Sequence, residues 1–317
     1  MRIFVTGASG FVGGAATSAL GLAGHVVRAM SRAPKSDPSI AARGATPVRC
    51  DLETVTGEHI GDAEAVIHCA AFVEQWGPRD AWKRFNVDGT ARMLAAARQA
   101  GVKRFIHIGT EAALFHGQHL RGVDETYPLA LNSPYPYSAT KAQAEKLLRD
   151  ANAPGFETIV LRPRFIWGPG DTTLLPVIET MAREGKFAWI NDGAAQTSTT
   201  HIANLVHAIE LALTKGRPGE AYFILDDGVR SMREMIAGMA ASRGIALPDK
   251  SIPGWVADAV GATCETLWSV LPLSGAPPLT RFSAMIMSRD AILKDDKARA
   301  EMGYRPVISV EDGMRAL

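Results

Sequence analysis

Tyr137 and Lys141 stand four residues apart in the run Tyr137-Ser138-Ala139-Thr140-Lys141. In a helix that spacing puts both side chains on one face. A phenol beside an ammonium is a proton-transfer pair, because the cation favours the phenolate. A free phenol titrates near ~10, so exchange near neutrality needs a fall of about 3 units, worth roughly 4 kcal/mol. Thr110 follows the apolar run at 105–108 and adds a hydroxyl that can polarise a carbonyl. Glu111 beside it reads as a second acid or base, or as a salt-bridge partner. Asn86 opens a helix whose first half faces the same cleft, where its amide can hold a neighbouring loop or a water.

Upstream lies Thr6-Gly7-Ala8-Ser9-Gly10-Phe11-Val12-Gly13, which follows a strand and opens a helix. That context is what a dinucleotide-binding turn requires. Gly7 permits the tight turn, Gly10 lets backbone approach a pyrophosphate, and Gly13 lets the helix pack on the sheet. The N–H groups and positive dipole end at Ser9, Phe11 and Val12 then face the phosphates. About 20 residues on, a carboxylate would mark NAD by binding the ribose 2′-hydroxyl. The chain instead reads Ala29-Met30-Ser31-Arg32. A guanidinium pairs with a 2′-phosphate, so Arg32 favours NADP over NAD. Asp51 and Leu52, after the next strand, are placed to contact adenine, and Ala70 and Ala71 are small enough to let the cofactor lie on backbone.

These residues need a frame that brings strand ends together. Short apolar runs at 3–5, 25–30, 65–70, 105–108 and 158–161 read as strands buried on both faces. Helical patterns at 13–22, 80–100 and 137–151 lie between them. Such alternation predicts an α/β fold with a doubly wound parallel sheet. The regular alternation stops after Leu161. The boundaries predicted are a dinucleotide-binding domain over 1–165, with a returning strand near 222–225, and a smaller, mostly helical C-terminal substrate lobe over 166–317.

The 317 residues are 47% hydrophobic and carry a net charge of +1, which gives no basic face for nucleic acid. Cys50, Cys69 and Cys264 lack metal-ligand spacing, and their odd count points to reduced thiols in a cytoplasmic protein. The chain starts on a strand, without the pattern of a signal peptide. The most apolar stretch, 252–273, contains Asp258 and Glu265, ends in Pro272, and reads as a lid helix rather than a membrane span. His116 and His119 have no partner at zinc spacing, so no metal is expected. His68 and His107 read as core histidines. Trp76, Trp167, Trp189, Trp255 and Trp268 are candidates for an apolar pocket.

Taken together, Thr6 to Gly13, Asp51-Leu52, His68-Cys69-Ala70-Ala71, Asn86-Val87-Asp88-Gly89-Thr90, Thr110, Tyr137 to Lys141 and the run Leu161-Arg162-Pro163-Arg164-Phe165-Ile166-Trp167-Gly168-Pro169-Gly170 resemble the extended short-chain dehydrogenase/reductase (NAD-dependent epimerase/dehydratase) family. The resemblance implies a Rossmann-type sheet and a catalytic Thr110, Tyr137 and Lys141. It also implies that Pro163, Arg164, Phe165 and Ile166 touch the nicotinamide carboxamide. The tail Ala298 to Pro306 and the run Pro278-Leu279-Thr280-Arg281 are similar to the 3β-hydroxysteroid dehydrogenase and dihydroflavonol reductase branch, except that Gly109-Thr110 replaces its Ser-Ser pair. The expected activity is hydride transfer between NADP, or NAD, and a carbonyl or secondary alcohol in an apolar small molecule such as a steroid-like or flavonoid-like hydroxyketone. The alternatives are a nucleotide-sugar epimerase or dehydratase holding NAD tightly, and a non-catalytic dinucleotide sensor. By analogy with the family, a homodimer is expected.

Overall fold

Successive side chains of a strand leave on opposite faces, so an apolar run without a polar face must be covered twice. The computed structural model, which describes residues 1–317 except Arg79, Thr173 and Pro272, meets this demand with one central sheet. Its strands are β1 (Arg2–Thr6), β2 (Val26–Ser31), β3 (Ala45–Arg49), β4 (Ala65–His68), β5 (Arg104–Ile108), β6 (Glu157–Pro163) and β7 (Ala221–Ile224). They lie in the order β7-β6-β5-β4-β1-β2-β3, all parallel. β7 is the returning strand expected near 222–225.

The period of two divides the core. Ile3, Val5, Ala65, Ile67, Ile106, Ile108, Ile159 and Leu161 point to one face. There they meet helices α1 (Phe11–Leu22) and α4 (Ile202–Ala212). Phe4, Val66, Phe105 and Val160 point to the other, against α2 (Gly89–Gln99) and α3 (Pro136–Ala151). The sheet is therefore doubly wound, and the strand ends that carry the predicted site residues share one edge.

The C-terminal portion holds helices α5 (Gly254–Val270) and α6 (Arg281–Ser288). It also contains short strands that its sequence did not announce. Arg230–Ser231, Gln196–Thr197 and Ala291–Leu293 form a small mixed sheet there, which Leu120–Val123 joins from the stretch after β5. Strands of two to four residues carry almost no periodic signal, which is why only helices were legible there. The 252–273 segment is helix α5, and Pro272, its predicted stop, lies outside the described residues. Among the described residues no helix is long and apolar enough to cross a membrane.

The glycine turn shows why its residues are small. Gly7 has φ +73° and its α-carbon faces the Ala70 backbone. A Cβ on Gly13 would sit 2.3 Å from the Gly7 carbonyl oxygen. Backbone cannot yield as a flexible side chain can, so Gly13→Ala is expected to destabilise the protein by about 1–3 kcal/mol, the usual range for overpacking. Urea unfolding of the two proteins checks this; equal midpoints would refute it.

Candidate active site

β5 ends at Ile108 and the chain turns through Gly109 into a short helical turn, Glu111–Leu114. A Cβ at Gly109 would meet Val160 Cγ1 at 2.7 Å, which accounts for glycine in place of serine. Thr110 caps the turn: its Oγ1 accepts from the Ala112 N–H at 3.1 Å and donates to Glu111 Oε2 at 2.8 Å. Glu111 Oε1 pairs with Arg164 Nη1 at 2.5 Å, with both side chains buried. Of the two readings of Glu111, the structure supports the salt-bridge partner. Arg164 also donates from Nε to Thr197 Oγ1 at 3.1 Å. Its guanidinium is thus turned into the protein and is not free for a ligand.

Tyr137 stands in the first turn of α3, after Pro136, with its ring edge-on to Phe282 at 5.5 Å between centroids. Desolvation pushes its phenol above the ordinary value, and the Glu111 carboxylate adds to the rise, against a hydrogen bond with the Thr110 hydroxyl. The sequence predicts the opposite direction, driven by Lys141. In the chain alone Lys141 is engaged elsewhere. Its Nζ donates to the Ile108 carbonyl at 2.8 Å and reaches His107 Nε2 at 3.2 Å. Desolvation brings Lys141 down to about 8, with Glu145 opposing. An ammonium has only protons to offer, so His107 accepts at Nε2 and carries its own proton on Nδ1. Burial, then the charge of Lys141, holds His107 well below the usual histidine range. The same two causes bring His68 down to about 3.

Asn86 lies in a widened helical turn, Lys83–Asp88, that runs into α2. Its Oδ1 accepts from the Phe72 N–H at 2.7 Å, and its Nδ2 donates to the Phe72 carbonyl at 3.1 Å and to Thr140 Oγ1 at 3.3 Å. It staples the loop after β4 to α3, the loop-holding role expected of it.

The predicted cofactor residues gather at the same sheet edge. α1 starts at Phe11 with Gly10 as its cap; no side chain caps it and no acidic residue lies in its first turn. The N–H groups around Ser9, Gly10, Phe11 and Val12 are therefore suited to an anion, which fits a dinucleotide pyrophosphate. The Ala70 N–H donates to Thr6 Oγ1 at 3.0 Å, locking the ends of β1 and β4 side by side, with Ala71 next in line. Arg32 is exposed just after β2, has no ion-pair partner among the described residues, and its charge helps lower Asp51. Asp51 Oδ1 is occupied by its own turn, accepting from the N–H groups of Glu53 and Thr54, each at 2.9 Å. Leu52 is buried against α2. Pro163 ends β6, Phe165 takes an unusual φ of +46°, and Ile166 pairs with Thr200. A bulky residue in that region is strained, and such strain collects at functional sites.

A cavity of about 850 Å³ opens over Tyr137. Its walls are Trp76, Trp82, Tyr135, Trp268 and Phe282, with Glu74, Glu265 and Arg281 as its charged groups. The lid reading of 252–273 fits this placement, since α5 contributes Glu265 and Trp268. Of the other tryptophans, Trp167 donates to Asp226 at 2.8 Å, Trp189 packs on Phe187, and Trp255 is 74% exposed. Sequence reasoning missed Trp82, Phe282 and the Lys141–His107 contact. The signal for Phe282 was its place beside Arg281, but neither residue has a spacing tied to α3.

A profile described as the NAD dependent epimerase/dehydratase family matches residues 3–224. The chain is 38% identical to a 4-hydroxy-2-methyl-3-oxo-4-farnesyl-3,4-dihydroquinoline-1-oxide ketoreductase of Stigmatella aurantiaca, covering 100% of this chain and 96% of that one. It is 36% identical to a 2-alkyl-3-oxoalkanoate reductase of Stenotrophomonas maltophilia, over 100% and 98% of the two chains. Among solved structures, the UDP-glucuronic acid 4-epimerase of Bacillus cereus in complex with NAD shares the fold at a TM-score of 0.76 and 20% identity, over 100% and 97% of the chains. With a family profile matching residues 3–224 and relatives at 38% and 36% identity over its whole length, the chain belongs to the NAD-dependent epimerase/dehydratase family of extended short-chain dehydrogenases/reductases and is an enzyme.

Proposed function

We propose that the protein is an NADP-dependent ketoreductase acting on an apolar ketone, with Thr110, Tyr137 and Lys141 as its catalytic set. One observation carries this reading: Tyr137, beside Thr110 and on the helix of Lys141, lines a cavity whose walls are mainly aromatic. Gly7, Gly10 and Gly13 with the α1 N-terminus would hold the pyrophosphate. Arg32 would hold a 2′-phosphate, while Ala70, Ala71 and the 163–166 loop would line the nicotinamide side. The bound dihydronicotinamide supplies a hydride to the carbonyl carbon. Tyr137 gives its phenolic proton to the carbonyl oxygen, so the C=O bond becomes a C–H and an O–H. Lys141 then stabilises the phenolate until it regains a proton, and its place near pKa 8 lets it pass protons close to neutrality.

The relatives are named for a 3-oxo-4-farnesyl-dihydroquinoline oxide and for 2-alkyl-3-oxoalkanoates, each with a 3-oxo group beside a carbon that bears a farnesyl or alkyl chain. The aromatic walls suit the same class here, including flat rings that stack on indole. A nucleotide-sugar substrate fits less well, because among the described residues Glu74 and Glu265 outnumber Arg281 around the cavity.

Tyr137→Phe is expected to slow NADPH-driven reduction by about 10²–10⁴-fold, the range for loss of a general acid, and to leave NADPH binding unchanged. Stopped-flow assays on 3-oxo acids, oxo-dihydroquinolines and 3-ketosteroids read the first effect and calorimetry the second. Turnover surviving the change would sink the mechanism. Calorimetry should also give tighter binding of NADPH than NADH. Arg32→Ala should weaken NADPH by about tenfold to a hundredfold, as expected for hydrogen bonds to a charged group, and spare NADH. NAD carried through purification, or equal binding of the two, would instead favour an epimerase or dehydratase.

A further inference from the structure

Arg43 follows the short helix Asp37–Ala41 and leads into β3. Its backbone stands beside Gly21, near the end of α1, while its guanidinium lies against Gly14, near the start. The side chain therefore runs along α1 to the glycine turn, where Nη1 donates to the Ala8 carbonyl. An alanine methyl at Gly14 would stand 2.5 Å from Cζ and 2.6 Å from Nη1 of Arg43. Gly14 lies one residue beyond the three glycines of the turn, and the turn itself needs no fourth. What it makes room for is the guanidinium.

Both features work against the helix. A glycine inside a helix destabilises it relative to alanine. A helix N-terminus carries partial positive charge, so a cation there is placed against the dipole. A guanidinium has five N–H donors, and Arg43 uses one. It has no ion-pair partner among the described residues. The nearby carboxylates are engaged: Asp37 pairs with Arg49 at 2.5 Å and accepts from the Ser31 hydroxyl at 2.5 Å, and Asp51 accepts from its own turn. Arg32 is unpaired as well. β1 and β2 run side by side with Val5 opposite Ala29. Ala8 comes three residues after Val5, and Arg32 three after Ala29. Both arginines therefore belong to the crevice where β1 and β2 end, the place where this fold reads the 2′ position of the adenosine ribose. The nicotinamide half leaves on the other side of β1, over β4, where Gly7 faces the Ala70 backbone.

Resting on the reading of the coenzyme as NADP, we infer that Arg43 is a second ligand of the 2′-phosphate, joining Arg32, and that residue 14 is glycine so that this guanidinium can reach the turn. A phosphate monoester near neutrality carries nearly two negative charges and three acceptor oxygens, enough for two guanidiniums. It also relieves the cation at the start of α1. The 2′-hydroxyl of NAD brings no charge and leaves Arg43 opposed to the dipole. Arg43 thus discriminates between the two coenzymes instead of adding to the binding of both.

The test is calorimetry of the purified protein with NADPH, NADH, adenosine 2′,5′-bisphosphate and adenosine 5′-monophosphate. Arg43→Met keeps the aliphatic stem and drops the charge. It should weaken NADPH and the bisphosphate by about tenfold or more and leave NADH and the monophosphate as they were. Gly14→Ala keeps the arginine, but its methyl displaces the guanidinium, which is the flexible end of a side chain. It should weaken NADPH selectively too, while its urea midpoint holds or rises, since alanine favours the helix. That pairing separates lost binding from lost folding. Arg43→Met weakening NADPH and NADH alike would overturn the inference, because the guanidinium would then only brace the turn or meet the pyrophosphate that both coenzymes share. Unchanged binding of all four ligands would overturn it as well. A parent protein that binds NADH as tightly as NADPH sinks the NADP reading and this inference together. A parent that prefers NADPH, loses the preference in Arg32→Ala and keeps it in Arg43→Met sinks this inference alone.

Discussion

The ion pair between Arg164 and Glu111 joins the two halves of the molecule. Glu111 follows β5, and Arg164 follows the end of β6. From there Arg164 reaches Thr197 in the small C-terminal sheet and the Ile286 carbonyl in α6. α6 carries Phe282, whose ring meets Tyr137. One guanidinium thus fixes the distance between the strand end that holds Thr110 and the helix that roofs the phenol. Removing one member of such a buried pair typically costs about 3–5 kcal/mol, because the other is left charged in a poor solvent.

Lys141 shows how the floor of the site is prepared in advance. Burying an ammonium is costly unless its protons are placed. Here one proton goes to a backbone carbonyl at the end of β5 and another towards His107. His68, beside His107, is held between Thr6 at 2.8 Å and Thr90 at 3.2 Å, and Thr90 donates to the Asn86 carbonyl at 2.7 Å. Asn86 in turn holds Phe72 and Thr140. A chain of short polar contacts therefore runs beneath the site from β1, through β4, to the loop and helix that flank Tyr137. Such a network rigidifies a site when its members are satisfied. Neutral histidines let it lie under a cation without adding charge, and burial is what keeps them neutral.

The parts legible in the sequence were those that a local rule dictates. The parallel sheet followed from apolar runs with no polar face. The glycine turn followed from a strand–turn–helix context, and Tyr137 and Lys141 from the helical repeat. Asn86 was legible as a loop holder, although it lies inside a helical stretch that starts at residue 81 and does not open a helix as its sequence suggested. Local rules say nothing of partners far apart in the chain. Glu111 and Arg164 are separated by 53 residues, so the sequence could offer Glu111 only as a salt-bridge partner without naming the partner. Arg164 was read as part of a cofactor loop, yet its guanidinium is turned into the protein. The direction in which Tyr137 is shifted was missed for the same reason. Spacing predicted the lysine, but the desolvation that raises Tyr137, and the carboxylate that adds to it, come from tertiary packing.

Charge also separates the two reactions this family could run on such a frame. A nucleotide-sugar diphosphate needs cations that are free to meet it. Of the basic residues that could serve, Arg164 is bound by Glu111, Arg183 by Glu179 and Lys186 by Glu184. Among the described residues Arg281 is the one cation that lines the cavity, with two carboxylates there. A diphosphate entering would therefore lose its hydration without gaining matching charge, a poor exchange. An apolar ketone loses little on desolvation and gains the aromatic walls. The same ion pair that fixes the roof thus also occupies Arg164, so on the proposed reading the geometry around Tyr137 favours an apolar ketone over a nucleotide sugar.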